Sequence, residues 1–335
     1  MNFFVSQFAQ DLRKLTADLI DSRPFQRLKK VAFLGAIERF AGFASHERGA
    51  SAGSRYDHSI GVANLTLQLA DQLHLSVGEG RIALAHALLH DVGHGPFSHS
   101  SEHFFFKKFR MNHHHVLQHM VENKASEISK ILQSHNLWFD YRKFVREPSR
   151  FPLVASLFYA PINADTVEGI LRSAEFFGVK ELPDQMSIIS SVRRWSIAAR
   201  PLDDFWHLKD EVYNEYILQS EYACYDQIVC DALSSVAEQV RKSDFFLDDE
   251  QFEERYRGPL HRQLRLKQIT RYQKSQSRRR IFDIDYHTKP KKLDELTSRY
   301  RDEWGEYGID SGGDRQTPRV QRRKTCASKK WDRRH

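Results

Sequence analysis

Seven long stretches of this 335-residue chain, at 58–73, 79–90, 98–109, 113–133, 162–177, 202–217 and 220–241, repeat apolar residues at three and four spacing. Alternating segments between them are few, so the chain buries helix against helix and the fold class is all-α, mostly helical. An eighth amphipathic stretch, with Phe4, Phe8, Leu12, Leu15 and Leu19 set among charges, opens the chain and is unlike a signal peptide. Breaks fall at Gly49 to Gly53, Gly93 to Pro96, Pro148 to Pro161 and Pro183. RRRIFDIDYH at 278–287 alternates like a short strand.

The expected organisation is a helical domain over 1–250, a basic appendage with a short strand over 251–300, and a basic tail over 301–335. From about Asp302 the composition turns to Gly, Ser, Asp, Arg and Lys, too poor in apolar side chains to offset the entropy of ordering. Net charge is +7, but residues 251–335 hold 24 Lys and Arg against 12 Asp and Glu, a net +12 that leaves the first 250 residues at −5. That asymmetry points to a polyanionic partner such as nucleic acid. No uncharged apolar run approaches the ~18 residues a bilayer requires, and the three cysteines, Cys224, Cys230 and Cys326, are too scattered for a disulfide framework. A soluble, cytoplasmic protein with no membrane partner is expected.

HALLHDVGHGPFSH, residues 86–99, puts four histidines and an aspartate into an otherwise apolar helix and turn. A charged Asp there is costly unless neutralised, and a divalent cation would neutralise it. His90 and Asp91 project about 100° apart, so both reach one ion only beside the helix terminus. His58 in RYDHSIGV and Asp165 in INADTVEG, each at a helix start, complete a mixed imidazole and carboxylate set suited to Mn, Fe, Co, Ni or Zn, with Mg also open. His86, four residues before His90, is either a packing residue or an orienting one.

The ordered set H…HD…D, centred on HDVGHGPFSH, resembles the HD-domain phosphohydrolases, and most closely their deoxynucleoside triphosphate triphosphohydrolase branch. The likeness runs through PFQRLKKVAFLG (24–35), SRYDHSIGV (54–62), HALLHDVGHGPFSH (86–99) and INADTVEGILRS (162–173). It implies His58, His90, Asp91 and Asp165 as metal ligands, His94 as a phosphate-facing catalytic residue, and His99, Arg55 and Arg172 as phosphate contacts. It also implies a further catalytic histidine within NHHHVLQHM; of His113, His114 and His115, the offset to Met120 and Val121 favours His114. Glycines 93 and 95 are expected to let the backbone turn closely around the ion. Relatives in this branch assemble, so a homo-oligomer is expected.

On the sugar side the chain departs from the branch. Phe33 stands where a Gln usually holds the sugar, and Gly169 and Ser173 stand where a Tyr and an Asp usually reach its 3′ hydroxyl. Losing such partners relaxes discrimination, and Gly169 is expected to leave room for a 3′ extension. The loop FASHERGASAGSRYDH is longer than the branch's turn, as a mobile flap over a wide mouth would be. Three functions remain open at this point: a nucleotide phosphohydrolase with altered sugar recognition, a phosphodiesterase or nuclease served by the basic tail, and a catalytically silent nucleotide or nucleic-acid binding module. No P-loop or dinucleotide-binding turn accompanies the histidines.

Overall fold

The structure, a computed structural model, describes residues 2–41, 51–193, 199–269, 280–287 and 299–304. Helices dominate, and local sequence explains their starts. Ser54 with Asp57, Ser76 with Glu79, and Asn163 with Thr166 form reciprocal capping boxes that begin the helices Arg55–Gln72, Val77–Leu89 and Ala164–Phe176. The stretch expected as one helix over 113–133 is two, His113–Glu122 and Glu127–Ser134. Asn123 takes an extended backbone and Ser126 caps the second helix, although the apolar period continues across the break. The stretch 202–217 ends in a π-helical turn, Val212–Ile217, after the helix Ala199–Glu211. Among the described residues no helix is long and apolar enough to cross a membrane.

Val77–Leu89 is the centre of the larger core. It is apolar nearly all round because helices Asn2–Asp21, Arg55–Gln72, Trp138–Arg146 and Pro152–Tyr159 surround it. A second core cluster joins His99–Phe109 and Ser220–Ser235 to Phe252, Tyr256 and Leu260. The boundary expected at residue 250 therefore falls inside a packed cluster. The turn between His90 and His99 bridges the two cores, with Val92 buried in the first and Phe97 in the second. Packing on both sides thus fixes the turn that carries the chemistry.

The expected strand is Arg280–Ile284 (β1), paired antiparallel with Tyr300–Trp304 (β2). Asn214, presented by the π turn, donates to the Arg280 carbonyl and accepts from its N–H. The tail expected to begin near Asp302 is ordered through Trp304, because Asp302 pairs with Arg280 (2.5 Å) and with buried Lys209 (3.3 Å). Its remainder, and residues 43–50 of the expected flap, lie outside the described residues.

Candidate metal centre

Three helix ends meet beside Asp91. His58 stands in the first turn of Arg55–Gln72, His90 ends Val77–Leu89, and Asp165 follows the capping residue Asn163, which leaves the Asp165 carboxylate uncommitted to the cap. Asp165 Oδ1 lies 3.0 Å from His58 Nε2 and 3.7 Å from His90 Nε2; the two Nε2 atoms are 3.4 Å apart. Asp91 contributes Oδ2 at 3.6 Å from His58 Nε2 and Oδ1 at 3.5 Å from His90 Nε2. Donor atoms bound about 2.1 Å from one ion stand at comparable mutual separations.

The outward ring nitrogens decide what the inward ones can do. His90 Nδ1 donates to the Ala87 carbonyl at 2.8 Å and His58 Nδ1 to Glu168. Each inward Nε2 therefore carries a lone pair, and the two lone pairs face each other and two carboxylates. A proton or a cation must relieve that repulsion. Burial lowers the affinity of His58 for a proton, but hydrogen bonds to Asp165 and Glu168 outweigh it and raise the imidazole to about 9. Burial opposes ionisation of Asp91, yet His90, Arg55 and His94 hold it well below the usual carboxylate range. Two imidazoles and two carboxylates so arranged fit a divalent cation of the imidazole-accepting class.

Supporting residues surround this quartet. Arg55, buried with Asp91, donates from Nη1 to Asp91 Oδ2 at 2.7 Å and from Nε to Ser98 Oγ at 2.9 Å. Arg172 donates to Glu168 and to the Ala52 carbonyl. Both arginines, expected at phosphate, are engaged within the protein: Arg55 holds Asp91 of the quartet, and Arg172 holds Glu168, the partner of His58. Glu168 was missed from sequence, although its spacing of three from Asp165 puts both on one helix face. Phe97 and Ser98 both have positive φ, a strained pair secured where Phe97 N–H donates to Asp249 and Arg55 grips Ser98.

On the far side of Asp91, His94 is fully buried, stacks on His113 at 4.1 Å between centroids and meets His99 edge-on at 4.6 Å. Glu102 accepts from His113 Nδ1 (2.7 Å) and from His99 Nδ1 (3.0 Å). Burial, Arg55 and His113 push His94 well below its ordinary value, so it is neutral. The structure puts His113 against His94, where the offset to later apolar residues favoured His114. Asn112 caps the helix, so position 113 shares a stripe with Val116, Leu117 and Val121. His115 is exposed; His114 is open on one side, but its ring packs 3.9 Å from that of His113, and burial lowers its pKa to about 3. His99 is half-exposed beside them.

Glycines 93 and 95 have ordinary negative φ and do not serve the turn itself. A Cβ at Gly93 would strike the His113 carbonyl, and one at Gly95 would lie 2.8 Å from the Phe245 ring. Their role is close approach. The space expected above Gly169 is filled: a Cβ there would sit 3.2 Å from Phe33 Cζ and 3.6 Å from His58 Cε1. Phe33 lies 4.7 Å from the His58 ring and beneath the Arg55 guanidinium, also at 4.7 Å. Ser173 turns its hydroxyl back to the Gly169 carbonyl. His86 packs edge-on to Phe144 and Phe158, and Cys224 is a buried packing residue.

Residues 55–171 match the HD domain family. The chain is 30% identical to the uncharacterized protein YwfO of Bacillus subtilis (strain 168) over 235 residues, 67% of this chain and 50% of that protein. It is 36% identical over 92 residues to the deoxynucleoside triphosphate triphosphohydrolase SAMHD1 homolog of Dictyostelium discoideum, 25% of this chain and 16% of the relative. Against deoxynucleoside triphosphate triphosphohydrolase SAMHD1 of Xenopus laevis the identity is 30% over 159 residues, 43% and 24% of the respective chains. The chain spans half or less of the length of these relatives.

Proposed function

Residues 55–171 being an HD domain, we propose that the protein is a metal-dependent phosphohydrolase acting on a nucleotide, similar to the deoxynucleoside triphosphate triphosphohydrolases but with altered sugar recognition. One observation carries the reading: His58, His90, Asp91 and Asp165 converge with both outward ring nitrogens already engaged, so their inward donors are reserved for a cation. A cation bound there lowers the pKa of its water and polarises a phosphoryl oxygen. Arg55 keeps Asp91 ionised and oriented, and Glu168 fixes the His58 tautomer. His94, His99 and His113 line the adjoining face, where a phosphate chain would lie. A leaving oxygen would take its charge compensation from these imidazoles, with Glu102 orienting the His113 ring through Nδ1.

Sugar recognition is the finer part. Phe33 offers no hydrogen bond to a sugar hydroxyl and covers Gly169, so the wall beside His58 is apolar. Such a wall distinguishes ribose from deoxyribose weakly. The +12 charge of residues 251–335 favours a second reading, a phosphodiesterase or nuclease acting on nucleic-acid ends. Incubating the protein with Mn²⁺ and dNTPs, NTPs, cyclic dinucleotides or labelled single-stranded DNA and RNA separates the two. Inorganic triphosphate from dNTPs and NTPs alike is the expected result. Shortened polymer would favour the second reading, and no product from any substrate would overturn both in favour of a silent binding module.

A further inference from the structure

The turn that carries His94 is gripped by two residues from outside the HD domain at 55–171. Arg27, which ends the short helix Arg23–Arg27, donates from Nη2 to the Val92 carbonyl (3.3 Å) and to the His94 carbonyl, and from Nη1 to the Leu247 carbonyl (3.2 Å). Asp249, which opens the helix Asp249–Arg255, is buried; it accepts with Oδ1 from Phe97 N–H (2.7 Å) and with Oδ2 from Ala32 N–H (2.9 Å). The Ala32 carbonyl in turn accepts from Ser98 Oγ (2.6 Å), which itself accepts from Arg55 beside Asp91. One carboxylate therefore joins two walls of the site, the segment leading into Phe33 and the turn of His94. A buried carboxylate is costly, and this one does not cap its own helix: Asp248 already does so through Gln251 N–H.

We propose that Asp249 and Arg27 are positioning residues for the reaction at Asp91: Asp249 sets the His94 turn against the Phe33 wall, and Arg27 holds the backbone of His94. The inference rests on the hydrolase reading for its kinetic readout alone. Hydrogen bonds to a charged partner are the stronger kind, and they keep Phe97 and Ser98 at positive φ. Protonation of Asp249 turns one accepting oxygen into a donor that faces an N–H, so one of the two bonds is lost. Burial raises this carboxyl to about 7, against the lowering effect of the two N–H groups, Arg39 and Arg27. Arg39 is itself paired with Glu253, and Asp248 faces Arg27. The grip on the turn therefore loosens as pH falls through about 7.

The test compares wild type with Asp249→Asn, Arg27→Lys and Asp248→Asn, each as the full chain loaded with Mn²⁺, between pH 8 and pH 6 on the substrates named above. Asp249→Asn is expected to keep the cation at His58 and His90, to lower kcat at pH 8 by up to about 100-fold and to change KM far less, as a misplaced reacting group does. The ratio of wild-type to Asp249→Asn kcat is expected to fall toward one at pH 6, where wild type carries the protonated carboxyl. Arg27→Lys, whose single ammonium cannot span three carbonyls, is expected to lower kcat and keep the pH dependence of wild type. Asp248→Asn retains a capping oxygen and is expected to match wild type. Amide exchange of the 92–98 segment needs no substrate: its protection factor is expected to be about tenfold lower at pH 6 than at pH 8 in wild type, and low at both in Asp249→Asn. A kcat ratio independent of pH, or loss of the cation in Asp249→Asn, overturns the proposal and makes Asp249 a scaffold residue. If wild type yields no product, the hydrolase reading falls and exchange decides: equal protection at both pH values and in both proteins overturns the positioning role, and the expected pattern upholds it.

Discussion

The two sides of Asp91 are built differently. Toward His58 and His90, every candidate ligand sits at a helix end and each outward ring nitrogen is tied to a carbonyl or carboxylate. Toward His94 and His113, rings stack on one another and their order depends on the turn at 90–99 and the helix that begins at His113 approaching closely enough for Gly93 to meet the His113 backbone. The first arrangement is fixed by local capping and the second by tertiary packing, so the two should fail in different ways.

Removing Asp91 is the severest disruption because both sides use it. Asp91→Ala should abolish bound metal and turnover together, a loss of several kcal/mol of transition-state stabilisation and on the order of 10³-fold in rate. It also strands the buried Arg55 guanidinium, at a cost of about 3–5 kcal/mol in stability. Asp91→Asn limits the change in volume. Metal content equal to wild type in either variant would remove Asp91 from the ligand set.

The same contrast decides what sequence reveals. His58, His90, Asp91 and Asp165 were legible because a charged or imidazole side chain at an apolar helix end needs a reason, and one motif ordered all four. The helices were legible from their period, and the strand at 280–284 from its alternation. Glu168 was not, since a Glu on a helix surface is ordinary until its partner His58 is known. Sequence favoured His114, whereas the ring stacked on His94 is His113, because the stripe depends on where the helix begins, which Asn112 sets. Gly169 looked like a vacancy; only the packed Phe33 ring shows that one residue fills the other's space. The order of residues 302–304 depends on Lys209, some ninety positions away, which no local composition reports.

Two substitutions separate the sides from each other. Glu168→Gln should cost the His58 side about 10–100-fold in metal affinity and leave the stacked imidazoles unchanged. Gly93→Ala should do the reverse: its Cβ forces the His113 helix away, at about 1–3 kcal/mol in stability, with the cation at His58 and His90 retained and turnover lowered. Competition with a fluorescent chelator measures the first, and paired metal and activity assays the second. If Gly93→Ala released that cation, the two sides would not be independent.

Phe33 tests a smaller contrast, between the polar metal face and the apolar wall beside it. Phe33→Leu keeps much of the packing and uncovers Gly169. The expected result is a several-fold change in the ratio of kcat/KM values for substrates with and without a 3′ extension, since an apolar contact discriminates by about 1–3 kcal/mol at most. A ratio identical to wild type would make the ring a packing element with no part in selection.

His86 offers the mildest probe, because it stands one helical turn behind His90 on the same core helix but is surrounded by Phe144, Phe158 and Tyr141. Burial, with His90 and His114 adding to it, lowers its pKa to about 3. Its folded-state value lies below the ordinary 6.5, so the unfolded chain takes up the proton first as pH falls. The stability it contributes is complete above pH 6.5 and declines between 6.5 and 3, reaching a loss of about 1.4 kcal/mol by pH 5.5. His58 works in the opposite sense in metal-free protein: its raised value stabilises the fold below 6.5 and ceases to do so as pH rises through about 9. The difference between wild type and His86→Leu, melted in chelator across pH 5 to 8, cancels the His58 contribution because both proteins carry it. That difference should shrink as pH falls below 6.5. A difference independent of pH would mean that His86 is protonated within the core, and its aromatic surroundings would then be solvating a cation.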